Sequence, residues 1–432
     1  MKFPFYTSIY GLVLILALPY YLVKGLRTGK YLEGLRGRAG MRPFALGPKT
    51  GPRVWVHALS LGETLTALAL VNRLLLEGYD VCMSATTRSG IRAAEEKVPP
   101  GVEIIPFPLD LPSSIRRIVR KAEPDLFVLV ETDIWPNLLA HLHKKDIPAI
   151  LVNAKVSAGS FARFKLIGWW WKRVLHLFAA MGAQTEIDKQ RLLSLGADPE
   201  RVLLTGNIKF DGPRPSAGPD ARQALLAEAG LPPGQWLVAG STHEGEDEVL
   251  LDILARLRPE FPDLRLLLAP RNRIRFEPVW RLIKKSGLSA ARRTGSPPDL
   301  NTRVFLLDTQ GELARFYEVA DLVFIGKSLA GPGEGGGHNP LEPAIKEKPL
   351  IFGSRMYNFE DISALLLSAG GAVQAADRDE LLNLVSDLLS DNEKRRHMGL
   401  AARRVVESHQ GALDSVMGII NKIMDKENQE RS

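Results

Sequence analysis

One cysteine in 432 residues, Cys82, leaves this chain nothing to pair with inside itself. An internal disulfide framework is excluded, and a reducing compartment fits. Cys82 follows Val81 in a strand-like run and reads as a small core hydrophobe. Acidic residues are nearly missing from the first 53 positions, where nine Lys or Arg face Glu33 alone, a charge of +8. The whole chain carries +7, so the remainder is close to −1. A general nucleic-acid binder carries its basic face on the folded domain, and this distribution argues against one. Several chemical signatures are missing too. "IGKS" has Asp321 where a phosphate-binding P-loop needs its first glycine. The histidines of "HLH", His141 and His143, lie about 200° apart on a helix and cannot share a metal. "DRD", Asp377 to Asp379, falls where a helix cap is expected. No catalytic triad and no cysteine nucleophile is visible.

Charge of either sign is also absent from Pro4 to Val23, "PFYTSIYGLVLILALPYYLV". About 20 apolar residues cross a bilayer core. Lys24, Arg27, Lys30, Arg36 and Arg38 follow at once and predict that the rest of the chain is cytoplasmic. Tyr20 and Tyr21 fall where an aromatic belt would sit. A cleaved signal peptide is disfavoured by the missing small-residue cleavage site and the downstream positive charge. The expectation is a membrane anchor over 1–27 that spans the bilayer or, given Pro4 and Pro19, inserts into one leaflet.

From Arg53 onward, short β-branched runs alternate with helical ones. "VWVHA", "DVCMSAT", "VEIIPF", "DLFVLV" and "PAILVN" read as buried strands. Helical patterns lie between them at "GETLTALALVNRLLLEG", "RSGIRAAEEK", Ser113–Lys121 and Trp135–His143. This is the rhythm of a parallel, doubly wound sheet. It stops near "KFDGPRPSAGPDA", where Pro213, Pro215 and Pro219 mark a linker. It restarts at "WLVAGS", "LRLLLAP", "TRVFLL", "DLVFIG" and "PLIFG". The expected organisation is a Rossmann-like domain over 28–212, a linker with a short helix over 213–234, a second Rossmann-like domain over 235–405, and a C-terminal helix and tail over 406–432. Two Rossmann-like α/β domains facing a cleft place ligands beyond the carboxyl ends of the strands.

The chemically interesting residues do follow strands. "HALSLGE" ends one strand and opens a helix, with Ser60 as N-cap, Gly62 allowing close approach, and Glu63 in the first turn. Glu63 either complements the helix dipole or serves as a general base, and spacing does not choose. In "VETDIWPN", Glu131 and Asp133 follow another strand and could cap the next helix. "TGNIKFD" supplies Lys209 just before the linker, either solvated or reaching across the cleft. "GSTHEGE" and "APRNR" follow strands in the second half, and Arg271 is suited to grip a phosphate. "DTQGEL" puts Gly311 and Glu312 at a helix start. "GGGHNPLEPA" runs glycines into a helix with Pro340 in its first turn. Three glycines in a row are expected where backbone must approach something closely, here a phosphate.

Taken in order, "HALSLGE", "ETDIWPN", "NAKVS", "TGNIKFD", "GSTHEGE", "APR", "DTQGEL" and "GGGHNPLEPA" resemble the bacterial 3-deoxy-D-manno-octulosonic acid (Kdo) transferases, which have the GT-B fold. The resemblance implies transfer of Kdo from CMP-Kdo to a tetra-acylated lipid A precursor, lipid IVA, at the bacterial inner membrane, without metal or cofactor. It implies that Glu63 is the general base and that Glu131 and Lys209 stabilise the transition state. It places Pro270, Arg271, Gly311, Glu312, Leu313, Asn339, Pro340, Leu341 and Glu342 at the CMP site, to which Gly337 and His338 are assigned as well. Ser60 and Gly62 fall in the acceptor region. The family's pattern is broken at Lys155, in "TRSG" at Thr87–Gly90, at Asn272, and at Lys327, which stands where a glycine is usual. None of these touches Glu63. The alternatives are a UDP-sugar enzyme of the same fold, of the epimerase or lipid A disaccharide synthase type, and a non-catalytic nucleotide-binding membrane scaffold. Phe161 to Phe178, with Trp169, Trp170 and Trp171 among basic residues, suggests a second bilayer contact or partial core packing.

Overall fold

The structure is a computed structural model and describes residues 3–28, 31–212, 215–218, 220–329 and 335–431. Pro213, Pro219 and Lys30 lie outside the described residues, as do the side chains of Tyr20, Tyr21, Lys24 and Arg27. The chain forms two compact units, 1–212 with 410–432, and 213–409.

In the first unit, the described residues build a sheet from β1 (Arg53–Ala58), β2 (Asp80–Ala85), β3 (Glu103–Ile104), β4 (Leu126–Val130), β5 (Ala149–Ala154), β6 (Ala180–Ala183) and β7 (Val202–Leu204). The order is β3-β2-β1-β4-β5-β6-β7 and every pairing is parallel. Helices cover both faces, so the strands are apolar on both sides: Val54, Trp55 and Val56 of β1 are fully buried. The helix Leu61–Leu76 buries Ala67, Leu70, Val71 and Leu74 against this sheet. Each of the Leu and Val side chains contributes about 1.5–3 kcal/mol on burial. Six residues of "VEIIPF" are expected in β3 and two pair. Pro106 and Pro108 follow and have no N–H to give to a ladder.

In the second unit, β8 (Gln235–Thr242), β9 (Leu264–Pro270), β10 (Ala290–Arg292), β11 (Val304–Leu306), β12 (Leu322–Ile325), β13 (Leu350–Gly353) and β14 (Ala372–Ala375) form another parallel sheet, ordered β10-β11-β9-β8-β12-β13-β14. In both sheets the first strand is interior, third of seven for β1 and fourth of seven for β8, and the chain winds outward from it in opposite directions. The crevice at that reversal lies between β1 and β4 in one unit and between β8 and β12 in the other. It is the ligand position in doubly wound sheets.

The helix Ala412–Arg431 returns to the first unit, where Val416, Met417, Ile420 and Met424 join the core beside Leu70 and Leu74. Asp211 ties it down by accepting the backbone N–H groups of Gly411 (2.7 Å) and Leu413 (2.6 Å). The N-terminal apolar run is the helix Pro4–Thr28. Among the described residues, no helix is long and apolar enough to cross a membrane. One face of this helix is occupied by its own unit. Tyr6 packs on Trp170 with ring centroids 6.0 Å apart, Tyr10 meets Trp135 edge to face, and the Thr7 hydroxyl lies 3.0 Å from the Asn137 side-chain oxygen. Phe5, Ile9, Leu12, Val13, Ile15 and Leu16 remain exposed. The tryptophan triplet divides accordingly: Trp171 is buried, Trp170 lies against the N-terminal helix, and Trp169 is 69% exposed. Trp170 and Trp171 therefore pack within the unit and only Trp169 faces outward.

Candidate active site

β1 hands the chain to the helix Leu61–Leu76 through Leu59 and Ser60. Ser60 is extended and caps the helix, its Oγ accepting the Glu63 backbone N–H. Glu63 reaches back in turn. One carboxylate oxygen accepts the Leu59 N–H at 2.6 Å and the other accepts the Ser60 hydroxyl at 3.0 Å. This is a variant of the capping box in which the carboxylate takes the N–H of Leu59, one residue before the N-cap, so the capping role is present. It also fixes the rotamer of a carboxylate just beyond the carboxyl end of β1. Burial pushes the Glu63 carboxyl above its ordinary value. The Leu59 N–H opposes the rise, the negative charge of Glu131 adds to it, Ser60 opposes it, and Asp133 adds again. A half-buried carboxylate with a raised affinity for protons, near two other acids, is suited to accept one. Gly62 follows Ser60 in the first turn, with space around the position where a side chain would begin.

Glu131 follows β4 and holds φ at 62°, a left-handed conformation that non-glycine residues rarely adopt. Its carboxylate lies 3.2 Å from Lys209 Nζ. Lys209, which the sequence left either solvated or reaching across a cleft, is paired inside its own unit. The reason is local. Ile208–Asp211 is a single 3₁₀ turn capped by Asn207, and Asn153 accepts the Ile208 N–H at 3.0 Å. Neither Glu131 nor Asp133 caps the next helix, Pro136–Lys144, whose N-cap is Trp135 without a side-chain bond. Asp133 instead accepts the Trp135 indole N–H at 2.7 Å. Behind these groups His57 is fully buried, stacked on Phe107 at 3.5 Å, with Nε2 3.8 Å from Asp133. Burial holds His57 below its ordinary value, against the Asp133 hydrogen bond.

In the second unit, Glu246 organises the carboxyl ends of β8 and β12. Its buried carboxylate accepts the backbone N–H groups of His243 (2.8 Å), Lys327 (2.8 Å), Ser328 (3.0 Å) and Leu329 (3.1 Å). Asp247 binds Thr242 at 2.6 Å and pairs with Arg275. Glu246 and Asp247 thus shape the loops and leave His243 for other work. His243 Nε2 lies 3.2 Å from His338 Nε2.

Pro270 ends β9 and Arg271 follows, its backbone N–H donating to Thr242 and its side chain exposed. The positive charge of Arg271 acts on both histidines, and on the buried Tyr317 hydroxyl it opposes the negative charge of Glu342. Arg271, His338 and Glu342 are thereby brought into one electrostatic cluster. Gly311 has φ 89°, and Glu312 caps the single turn Leu313–Phe316 with its carboxylate held by Arg293 at 3.0 Å. Asn339 accepts the Leu341 N–H at 3.1 Å. The expected helix at "NPLEPA" is one turn, Leu341–Ala344, with Pro340 as its N-cap rather than inside it. Glu347, at φ 57°, closes it off.

The glycine run has a tertiary cause. A side chain at Gly335, Gly336 or Gly337 would meet Arg355, Asn358 or Met356 at 2.2–2.7 Å. The close approach is to the chain's own 355–358 segment. Among the described residues, no group of three or more His, Cys, Asp or Glu could hold a metal ion.

The profile of the 3-deoxy-D-manno-octulosonic-acid transferase (kdotransferase) family matches residues 33–212. The 3-deoxy-D-manno-octulosonic acid transferase of Haemophilus influenzae is 32% identical over 98% of this chain and 99% of its own length. That of Bordetella pertussis is 34% identical over 87% of this chain and 88% of its own. Among solved structures, a putative UDP-N-acetylglucosamine 2-epimerase from Listeria monocytogenes shares the fold, with a TM-score of 0.56, 15% identity, and coverage of 87% of this chain and 97% of that one. Two parallel-sheet units with polar groups at their strand ends, and these relatives, define a glycosyltransferase. The chain belongs to the Kdo transferase family.

Proposed function

We propose that this enzyme transfers Kdo from CMP-Kdo to a tetra-acylated lipid A precursor, lipid IVA, with inversion at the anomeric carbon. The observation that carries the reading is Glu63: a carboxylate held in one rotamer just beyond the carboxyl end of β1, with its proton affinity raised by burial. Glu63 takes the proton of the acceptor hydroxyl as the oxygen attacks. Lys209, oriented by Glu131, places positive charge where negative charge develops, and Arg271 does the same at the departing phosphate. Pro270, Gly311 to Leu313 and Gly337 to Glu342 form the nucleotide site, while Ser60 and Gly62 border the acceptor. No nucleic acid takes part.

An amphiphilic acceptor suits an enzyme held at the inner membrane with its two units on the cytoplasmic side. The helix Pro4–Thr28 is docked by one face, and the exposed Phe5, Leu12, Ile15 and Leu16 favour insertion into one leaflet over a complete span. Mass spectrometry of the lipid products after incubation with CMP-Kdo and the tetra-acyl acceptor tests the function. A product heavier by one or more Kdo residues is expected. An unchanged acceptor together with heat protection by UDP and not by CMP would favour a UDP-sugar enzyme instead.

A further inference from the structure

The loop that Glu246 clamps holds His243 after β8. His338 enters the same place from the glycine run. The two Nε2 atoms are 3.2 Å apart and the rings lie within 28° of parallel. Two neutral imidazoles can sit so only if one donates Nε2–H to the lone pair of the other, which leaves the Nδ1 of the donor ring as an acceptor. An anion arriving at this pair would meet that acceptor. If the pair gains one proton, the same Nδ1 becomes a donor and the ring-to-ring bond is kept. The pair is thus built to change its hydrogen-bonding sense by taking up a single proton.

The surroundings are cationic. Lys327 follows β12, Arg271 follows β9, and Arg275 lies in the next turn; Arg355 and Tyr357 flank the glycine run. The facing acids are engaged: Glu246 is taken up by four backbone N–H groups and Asp247 by Arg275 and Thr242, while Glu342 lies in the turn after His338. Burial first, then Lys327, Arg275 and Arg271, lower His243 to about 4. Burial, then Arg271, His243 and Lys327, lower His338 to about 3. The empty pair is uncharged at neutral pH. Lys327 stands where the resemblance leads one to expect glycine, and it holds φ at 60°. A lysine in a backbone conformation that favours glycine, beside two histidines, adds positive charge where an anion is to be received.

We propose that His243 and His338 are a proton-sharing pair that takes up one proton when the phosphate of the nucleotide donor binds, and gives it to that phosphate as the sugar departs. This rests on the reading of Arg271 and Gly337 to Glu342 as the CMP site. The proton balance closes. The acceptor oxygen bonds to the anomeric carbon and its proton passes to Glu63. The carbon–oxygen bond to phosphate breaks with both electrons going to oxygen. That oxygen takes the proton from the imidazolium, so CMP leaves as a monoanion and the pair is neutral again. A phosphate monoester with its second pKa near about 6 is close to an ordinary imidazole in proton affinity.

The test is calorimetry of CMP binding to the full chain at pH 7.5, in buffers of different ionisation enthalpy. CMP is then largely a dianion, so one proton taken up on binding lies on the pair or on the phosphate it faces, and loss of that uptake in the histidine variants assigns its delivery to the pair. Wild type is expected to take up close to one proton with CMP and none with cytidine. His243→Gln and His338→Asn are expected to bind CMP with that uptake lost. Their kcat/KM should fall by about 10²-fold, and the loss of activity at high pH expected of wild type should be flattened in them. A variant chosen for safe folding, Lys327→Gly, relieves the backbone at φ 60° and should shift the histidine NMR titration of the free protein upward. CMP binding by wild type without proton uptake overturns the pair and leaves the nucleotide site standing. No CMP binding at all ends both.

Discussion

Lys209 Nζ lies 3.2 Å from a carboxylate oxygen of Glu131, a residue whose backbone is held left-handed at φ 62°. Strain of this kind costs on the order of 1–3 kcal/mol and persists where the surrounding fold enforces it. Both side chains keep about a quarter of their surface, so the pair itself adds little to stability, at most about 1 kcal/mol. Lys209→Met is therefore expected to leave the urea midpoint nearly unchanged while turnover drops by about 10²–10³-fold, the size of losing one preorganised charge. Equal losses in stability and rate would make the pair a fold element and nothing more.

Glu63→Gln keeps the shape of the cap and removes the base. Turnover is expected to fall by about 10²–10⁴-fold while CMP still protects against heat. Because burial raises the Glu63 carboxyl, the acid limb of kcat/KM in wild type should lie above the ordinary carboxylate value of 4.5. The sign for stability follows. A carboxyl raised above its unfolded value favours the fold while protonated, and that contribution is lost as pH rises through the folded value. Glu63→Gln should thus compare more favourably with wild type at pH 7.5 than at pH 4 in denaturant midpoints.

Gly336 has φ 127°, and a side chain there would begin 2.3 Å from the Asn358 amide. Its N–H and C=O bond to Arg355 and Asn358 backbone at 2.9 and 3.0 Å. Gly336→Ala is expected to cost roughly 1–3 kcal/mol and to weaken CMP binding, read by urea unfolding and by CMP-dependent melting. Unaltered stability would mean that the 355–358 segment yields easily.

Leu12→Glu combined with Leu16→Glu places two charges on the exposed face of the N-terminal helix and spares the docked face. Co-sedimentation with anionic phospholipid vesicles should fall at least tenfold, while transfer to a detergent-dispersed acceptor continues. Trp169→Ala should add a smaller decrease, and Trp171→Ala should act through stability instead, because Trp171 is buried. Vesicle binding that survives the double change would remove the helix from the membrane contact.

Much of this protein is written locally. The βαβ alternation, the helix Arg88–Lys97, the Ser60 cap and the Asp377 cap follow from side-chain period and hydrogen-bonding type, which act over a few residues. The order of the motifs was enough to point to the family. Other features required the folded chain. The length of β3 and the shortness of Leu341–Ala344 depend on how prolines and a left-handed Glu347 meet their neighbours. The return of Ala412–Arg431 to the first unit, the pairing of Lys209 with Glu131, the meeting of His243 with His338 across 95 positions, and the contact behind the glycine run are long-range. A sequence carries periodicity and propensity at short range; which distant groups share a few ångströms is decided by packing of the whole chain, and no residue spacing encodes it.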